Sequence, residues 1–224
     1  GVQTCALPIS LNGDTLEFNA AAFKLDKNAV VDDLLRKLPG VTVWGDGKIT
    51  VNGKDISTIT VDGKPFFGGN VKVATENLPK DAVQKIQIFS QVNENNLLDS
   101  TTNINIKLKK GKNFGRFGKL ATGYGTGAHY EADAMLNFFN KRTQFGSVAA
   151  SNNVNKIGSE ISQLMENASY KGVGARIDYQ SNFQTQGTSQ PNQGGFIFQH
   201  DFIDNADYFN NHRLKGNYYF RNNT

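Results

Sequence analysis

The 224-residue sequence predicts an α+β domain followed by the antiparallel β-strands of an incomplete transmembrane β-barrel. Composition is the first reason. The chain has 23 glycines, 16 phenylalanines and 7 tyrosines but is only 38% hydrophobic, which suits many short strands with aromatic anchors better than a helical bundle. The second reason is a change of hydrophobic period after Gly111, from a mixture of helix and strand spacings to long alternating segments. The third is that no apolar run approaches the ~18 residues of a transmembrane helix. In lipid the backbone can be satisfied only by helices or closed sheets, so a membrane role would have to rest on strands.

Gly1 to Ile9 resembles the translation of a sequencing adapter and is not expected to belong to the fold. It contains Cys5, the only cysteine, so the remainder offers no disulfide or thiolate site. Val30, Val31, Leu34, Leu35 and Leu38 recur at helical spacing, with Asn28 placed to cap the helix. Asp32 and Asp33 in the first turn and Arg36 and Lys37 in the last complement its dipole, and Pro39-Gly40 ends it. Val41 and Val43 then alternate against Ile49 and Val51 across Gly45-Asp46-Gly47-Lys48, the pattern of a hairpin. A turn follows at Asn52-Gly53, then a strand from Ile56 to Val61 and another turn at Asp62-Gly63. Further strands are expected at Lys85–Phe89 and Ile104–Leu108.

Beyond Gly111, Tyr130, Ala132, Ala134, Leu136 and Phe138 share one strand face, and Glu131, Asp133, Met135 and Asn137 share the other. An apolar face with an aromatic at each end fits a strand of about 9–11 residues crossing a bilayer. Leu214, Gly216, Tyr218 and Phe220 repeat the pattern against Lys215, Asn217, Tyr219 and Arg221. A cation on the lipid side at mid-depth costs about 2–4 kcal/mol, so Lys215 and Arg221 should face inward or lie near an interface. Phe117–Tyr124, Gln144–Asn152 and Phe196–Phe202 are further strands, and Ile157–Asn167 a helix. With entry from the periplasm, Asn140–Arg142 is a short periplasmic turn and residues 153–195 form a long extracellular loop, within which Val173–Phe183 is placed; the alternative, a membrane strand over Val173–Phe183, would put the long segment Gln184–Gly195 on the short-turn side. Alternation of this kind also suits a soluble β-sandwich.

Several stretches together resemble the plug of TonB-dependent outer-membrane receptors, of the type common in Bacteroidota. They are Gly13–Ala20, Asp33–Val41, Val51–Lys54, Val61–Gly69 and Asn77–Ile86, followed by Ile104–Gly111 and Gly115–Gly118, which resemble the passage from plug to barrel. The resemblance implies a plug over residues 10–112 and the first barrel strands over 113–224. It further implies import of a scarce nutrient such as a siderophore, glycan or peptide, in a barrel of about 22 strands. Implied partners are TonB, through a segment upstream of Ser10, the small nutrient ligand, outer-membrane lipid and a surface lipoprotein. The place is the outer membrane of a Gram-negative bacterium. The alternative is a β-rich outer-membrane binding or adhesion protein without active transport.

No catalytic constellation is visible, so an enzyme is not expected. His129, His200 and His212 stand apart without metal-ligand spacing, and neither metal nor cofactor is expected. The 24 Lys+Arg against 20 Asp+Glu give +4, too slight to point to nucleic acid. The tract Lys107–Lys112 reads as a solvated linker. The candidate substrate-contacting loop is Phe66, Phe67, Gly68, Gly69 and Asn70, where two aromatics among glycines could be presented to a ligand. The same two rings could instead pack the domain core.

Overall fold

A computed structural model describes residues 8–45, 47–93, 96–169, 189–203 and 212–223. Two units divide the chain, Gly1–Lys112 and Asn113–Thr224. Unit 1 starts with the hairpin of β1 (Ile9–Asn12) and β2 (Thr15–Asn19). Helix α1 follows at Val31–Leu35, shorter than the apolar spacing suggested. Its cap is Val30, whose backbone N–H donates to the Asp33 carboxylate at 2.9 Å, and Asn28 takes no part. The helix tightens after Leu35: Lys37 N–H donates to Leu34 and Leu38 N–H to Leu35, three-residue steps that wind the last turn down before Pro39. Leu38 is buried nonetheless, together with Val30, Val31, Leu34 and Leu35.

β3 (Val41–Val43) and β4 (Ile49–Val51) form the expected hairpin, and β5 (Lys54–Val61) and β6 (Lys64–Pro65) continue it. The turns Asn52-Gly53 and Asp62-Gly63 have φ of 49° and 80°, and 50° and 79°. Two successive positive φ values are the type I′ geometry that matches strand twist and favours Asn-Gly and Asp-Gly. Helix α2 (Val71–Asn77) lies against β5. β7 (Val83–Asn93) and β8 (Asn96–Leu108) are longer than expected and pair antiparallel. The sheet order is β1-β2-β7-β8-β5-β4-β3, with β6 beside β5. Among the described strands, only β5 and β8 run parallel.

One face of this sheet carries the rows Phe18–Ile86–Ile106–Val61 and Leu16–Ile88–Ile104–Ile59, and all but Leu16 are buried hydrophobics of the core. The opposite face carries a polar ladder across four strands. Gln87 and Lys85 donate to the Glu17 carboxylate, Asn105 donates to Gln87, and Thr60 and the Gly63 N–H donate to the Asn105 carbonyl.

Unit 2 is a meander of five antiparallel strands, β9 (Gly115–Tyr124), β10 (Tyr130–Phe139), β11 (Thr143–Asn152), β12 (Pro191–Asp201) and β13 (Arg213–Asn223), paired in sequence order. The sheet curls as a half-barrel. Helix α3 (Ile161–Ser169) lies against all five strands. Val173–Phe183, Asp46 and the first seven residues lie outside the described residues. β11 pairs directly with β12 over nine residues, so the sheet leaves no place between them for another strand.

The expectation of an α+β first domain is corrected: the described chain is mainly β, in largely antiparallel sheets. The helices of unit 1 have five and seven residues, whereas β7 and β8 have 11 and 13. Helical spacing of apolar residues ensured their burial without ensuring a long helix, because packing and the Pro39-Gly40 stop decide length.

Candidate functional site

The sheet of unit 2 is inverted relative to an ordinary half-exposed sheet, and this arrangement is the candidate site. Registers place Leu120, Ala134, Ala149, Gly194 and Phe220 in one row across the sheet, and Gly118, Leu136, Ser147, Phe196 and Tyr218 in the next. These rows belong to the open face. Leu120, Leu136 and Tyr218 are 76%, 68% and 55% exposed, and Phe145, Phe196 and Phe220 are exposed as well. Aromatic rings stack along it, Phe145 with Phe196 and Phe196 with Tyr218, at centroid distances of 6.2 and 5.9 Å. Contiguous apolar surface of this kind is rare on a sheet that faces water.

Charge sits on the other face. Of the charged residues in the five strands, Lys119, Glu131, Asp133, Asp201, Arg213, Lys215 and Arg221 share the inner side, and only Arg116 points out. Arg116 pairs across with Phe138 in a row near one rim, where a long side chain can reach past the apolar band. Lys215 and Arg221 therefore take the side that the alternation required. The inner face is also the one covered by α3, whose Ile161, Leu164, Met165 and Ala168 are buried, beside Met135 and Val148 of the strands.

Lys156 is the centre of the inner face. Its ammonium donates to Glu131 at 2.6 Å and to Asp133, and its side chain is 10% exposed. Burial alone would pull its pKa down, but the two carboxylates outweigh that and hold it above the usual lysine value. A second ion pair, Arg213 with Asp201, closes the other end of the face. Two adjacent glycines thin the sheet between its faces. A Cβ on Gly194 would stand 2.7 Å from the Phe220 ring on the open side. One on Gly195 would stand 2.7 Å from Ile161 Cδ1 on the inner side and 2.2 Å from the Tyr218 carbonyl oxygen.

The loop singled out from sequence lies elsewhere, in unit 1. Phe66 and Phe67 are 2% and 1% exposed and meet edge to face at 4.6 Å, so the rings occupy the core, the other role the sequence allowed, and are not presented on a loop. Gly68 and Gly69 have φ of 81° and 85°, which turns the chain sharply into α2. Asn70 caps that helix by accepting from the Val73 N–H at 3.1 Å. The five residues come together as a helix entry. His200 meets Thr143 at 2.9 Å and the ring of Phe202. Among the described residues no three His, Cys, Asp or Glu side chains gather as a metal site, and no helix is long and apolar enough to cross a membrane.

Sequence reasoning missed Lys156, which sits in a polar stretch between a strand and a helix with nothing in its neighbours to mark it. Its partners were visible as the acidic pair Glu131 and Asp133 on one strand face, an expensive couple in a half-buried sheet without a nearby cation. The chain matches no family model, and no curated protein matches it.

Proposed function

We propose that this chain is the plug and the first five barrel strands of a TonB-dependent outer-membrane receptor, which imports a scarce nutrient through a barrel gated by the plug. The observation that carries the reading is the polarity of the unit 2 sheet: apolar and aromatic outside, charged and amide-bearing inside. A bilayer reverses the usual preference of a sheet, since lipid takes the apolar side and a wet lumen the polar one. The dimensions agree. From Thr143 to Ser151 the strand runs about 27 Å, or about 21 Å along the normal at a tilt of ~40°, close to the ~25 Å apolar band of outer-membrane barrels.

One further feature supports it. Among the described strands, β9 and β13 each pair on one side only, as the first and fifth strands of a larger cylinder would. In this reading unit 1 is the plug, on the motif resemblance from Gly13 to Gly118, and the nutrient, TonB and a surface lipoprotein are its partners.

The test is fractionation of cells that express the complete gene, with and without TonB. The expected outcome is a heat-modifiable outer-membrane band and nutrient uptake that disappears without TonB. Recovery of the product in the soluble periplasm would defeat the membrane reading. Membrane insertion with ligand binding that is indifferent to TonB would favour a binding or adhesion protein instead.

A further inference from the structure

We propose that Asn153–Ser169 is a strap folded back onto the inner face of the unit 2 sheet and anchored there by Lys156, so that it narrows the lumen from within. The proposal rests on the barrel reading for the word lumen, and on geometry alone for the docking. Residues after Asn152 leave the top of a strand, where a surface loop would ordinarily run outward into water. Here the chain turns back. Asn152, fully buried, accepts from the N–H groups of Val154 and Lys156 at 3.2 and 3.0 Å and donates to the Lys156 carbonyl at 2.8 Å. Gln193, on the next strand, accepts from the Gly158 N–H at 2.8 Å and donates to the Lys156 carbonyl at 3.0 Å. Tyr219 of β13 donates to the Gly158 carbonyl at 2.6 Å.

Three strands thus bind the backbone of the strap while a fourth, β10, holds its cation. Backbone polar groups away from water need such partners, and side chains of the wall supply them. The helix then lays its apolar stripe on the wall, with Ile161 seated where Gly195 lacks a side chain. Gln163 of the helix reaches back to the strap before it, accepting from both the Ser159 N–H and hydroxyl at 2.7 and 2.8 Å. At its far end Ser169 reaches Met135. The Lys156 carboxylate partners lie on the wall, so the ion pair is a tether between strap and wall rather than a feature of either alone. A strap held in this way makes the lumen narrower than the strands allow and sets an upper limit on the solute that can pass beside it.

The experiment uses the complete receptor in intact cells, free of other cysteines, and a membrane-impermeant maleimide. Thr126→Cys, in the exposed β9–β10 turn, is the reference for the outer surface. Ala168→Cys, at a buried helix position and nearly the same size, reports the strap, with Leu164→Cys as a second position. Labelling at Ala168→Cys is expected at least about tenfold slower than at Thr126→Cys, since a buried site reacts only through local opening. Adding Lys156→Met should bring the two rates together, and Lys156→Arg should keep them apart. Equal rates at Ala168→Cys, Leu164→Cys and Thr126→Cys without any change at Lys156 would overturn the strap. Protection that survives Lys156→Met would overturn Lys156 as the anchor. No labelling at Thr126→Cys would instead remove the outer-membrane reading and with it the lumen.

Discussion

The two units use the same material, sheets with short helices laid against them, and dispose of it in opposite ways. In unit 1 the face bearing Phe18, Ile86, Ile104 and Ile106 is buried and the opposite face carries a hydrogen-bonded polar ladder. In unit 2 the helix covers the face with the charges, and Leu120, Leu136 and Phe220 are left open. The contrast teaches that alternation by itself says only that two faces differ; what lies on each side decides which face is the inside.

The largest expected effect sharpens the first half of this contrast. Phe18→Ala empties a site in the unit 1 core and should cost about 3–5 kcal/mol. Trp44 is the only tryptophan and lies in unit 1, so its fluorescence in a denaturant titration reads that unit by itself. Next comes Leu136→Arg, at a position 68% exposed. On a water-facing sheet it should change stability by no more than about 0.5 kcal/mol. On a lipid-facing one it should cost about 2–4 kcal/mol, visible as loss of the heat-modifiable band. An unaffected Leu136→Arg protein would break the comparison outright.

A smaller effect is expected from Asn105→Ala, which strips the ladder of its central amide and leaves Thr60, Gly63 and Gln87 to find other partners. The cost should be about 1–3 kcal/mol, again by Trp44 fluorescence. The smallest concerns acid. Lys85 and then Gln87 hold the Glu17 carboxylate below its ordinary pKa. Its folded value lies under its unfolded one, so the stabilisation is complete above the unfolded value and fades as pH falls through the folded value. Glu17→Gln should flatten that acid limb of the unit 1 unfolding curve, and an unchanged limb would show that the Lys85 contact contributes nothing.

Much of the strand pattern was legible because it is written at short range. Asn52-Gly53 and Asp62-Gly63 announce their turns, and Tyr130–Phe138 announces both its faces. The parallel pairing of β5 with β8 was not legible: it joins residues more than forty positions apart, such as Ile59 and Ile104, and local chemistry does not specify such partners. α1 was overextended because burial of Leu38 mimics one more helical turn. The Phe66-Phe67 pair misled in a similar way, since glycines that shape a helix entry look in sequence like those of an open loop. Lys156 could have been sought from the two acids it neutralises, but only a fold could show that a residue 23 positions beyond Asp133 returns to meet it.

Gly194 and Gly195 act together as a key for alignment. Sliding β12 by one residue turns every side chain of the strand to the opposite face. In one direction the slip would drive the ring of Phe196 into the place where Ile161 now rests; in the other it would press Gln193 against Phe220. Either error would also turn Asp201 away from Arg213 and towards the greasy side. A strand carrying two side chains of zero size, back to back, therefore has one position in which both neighbours fit, and misalignment is rejected locally.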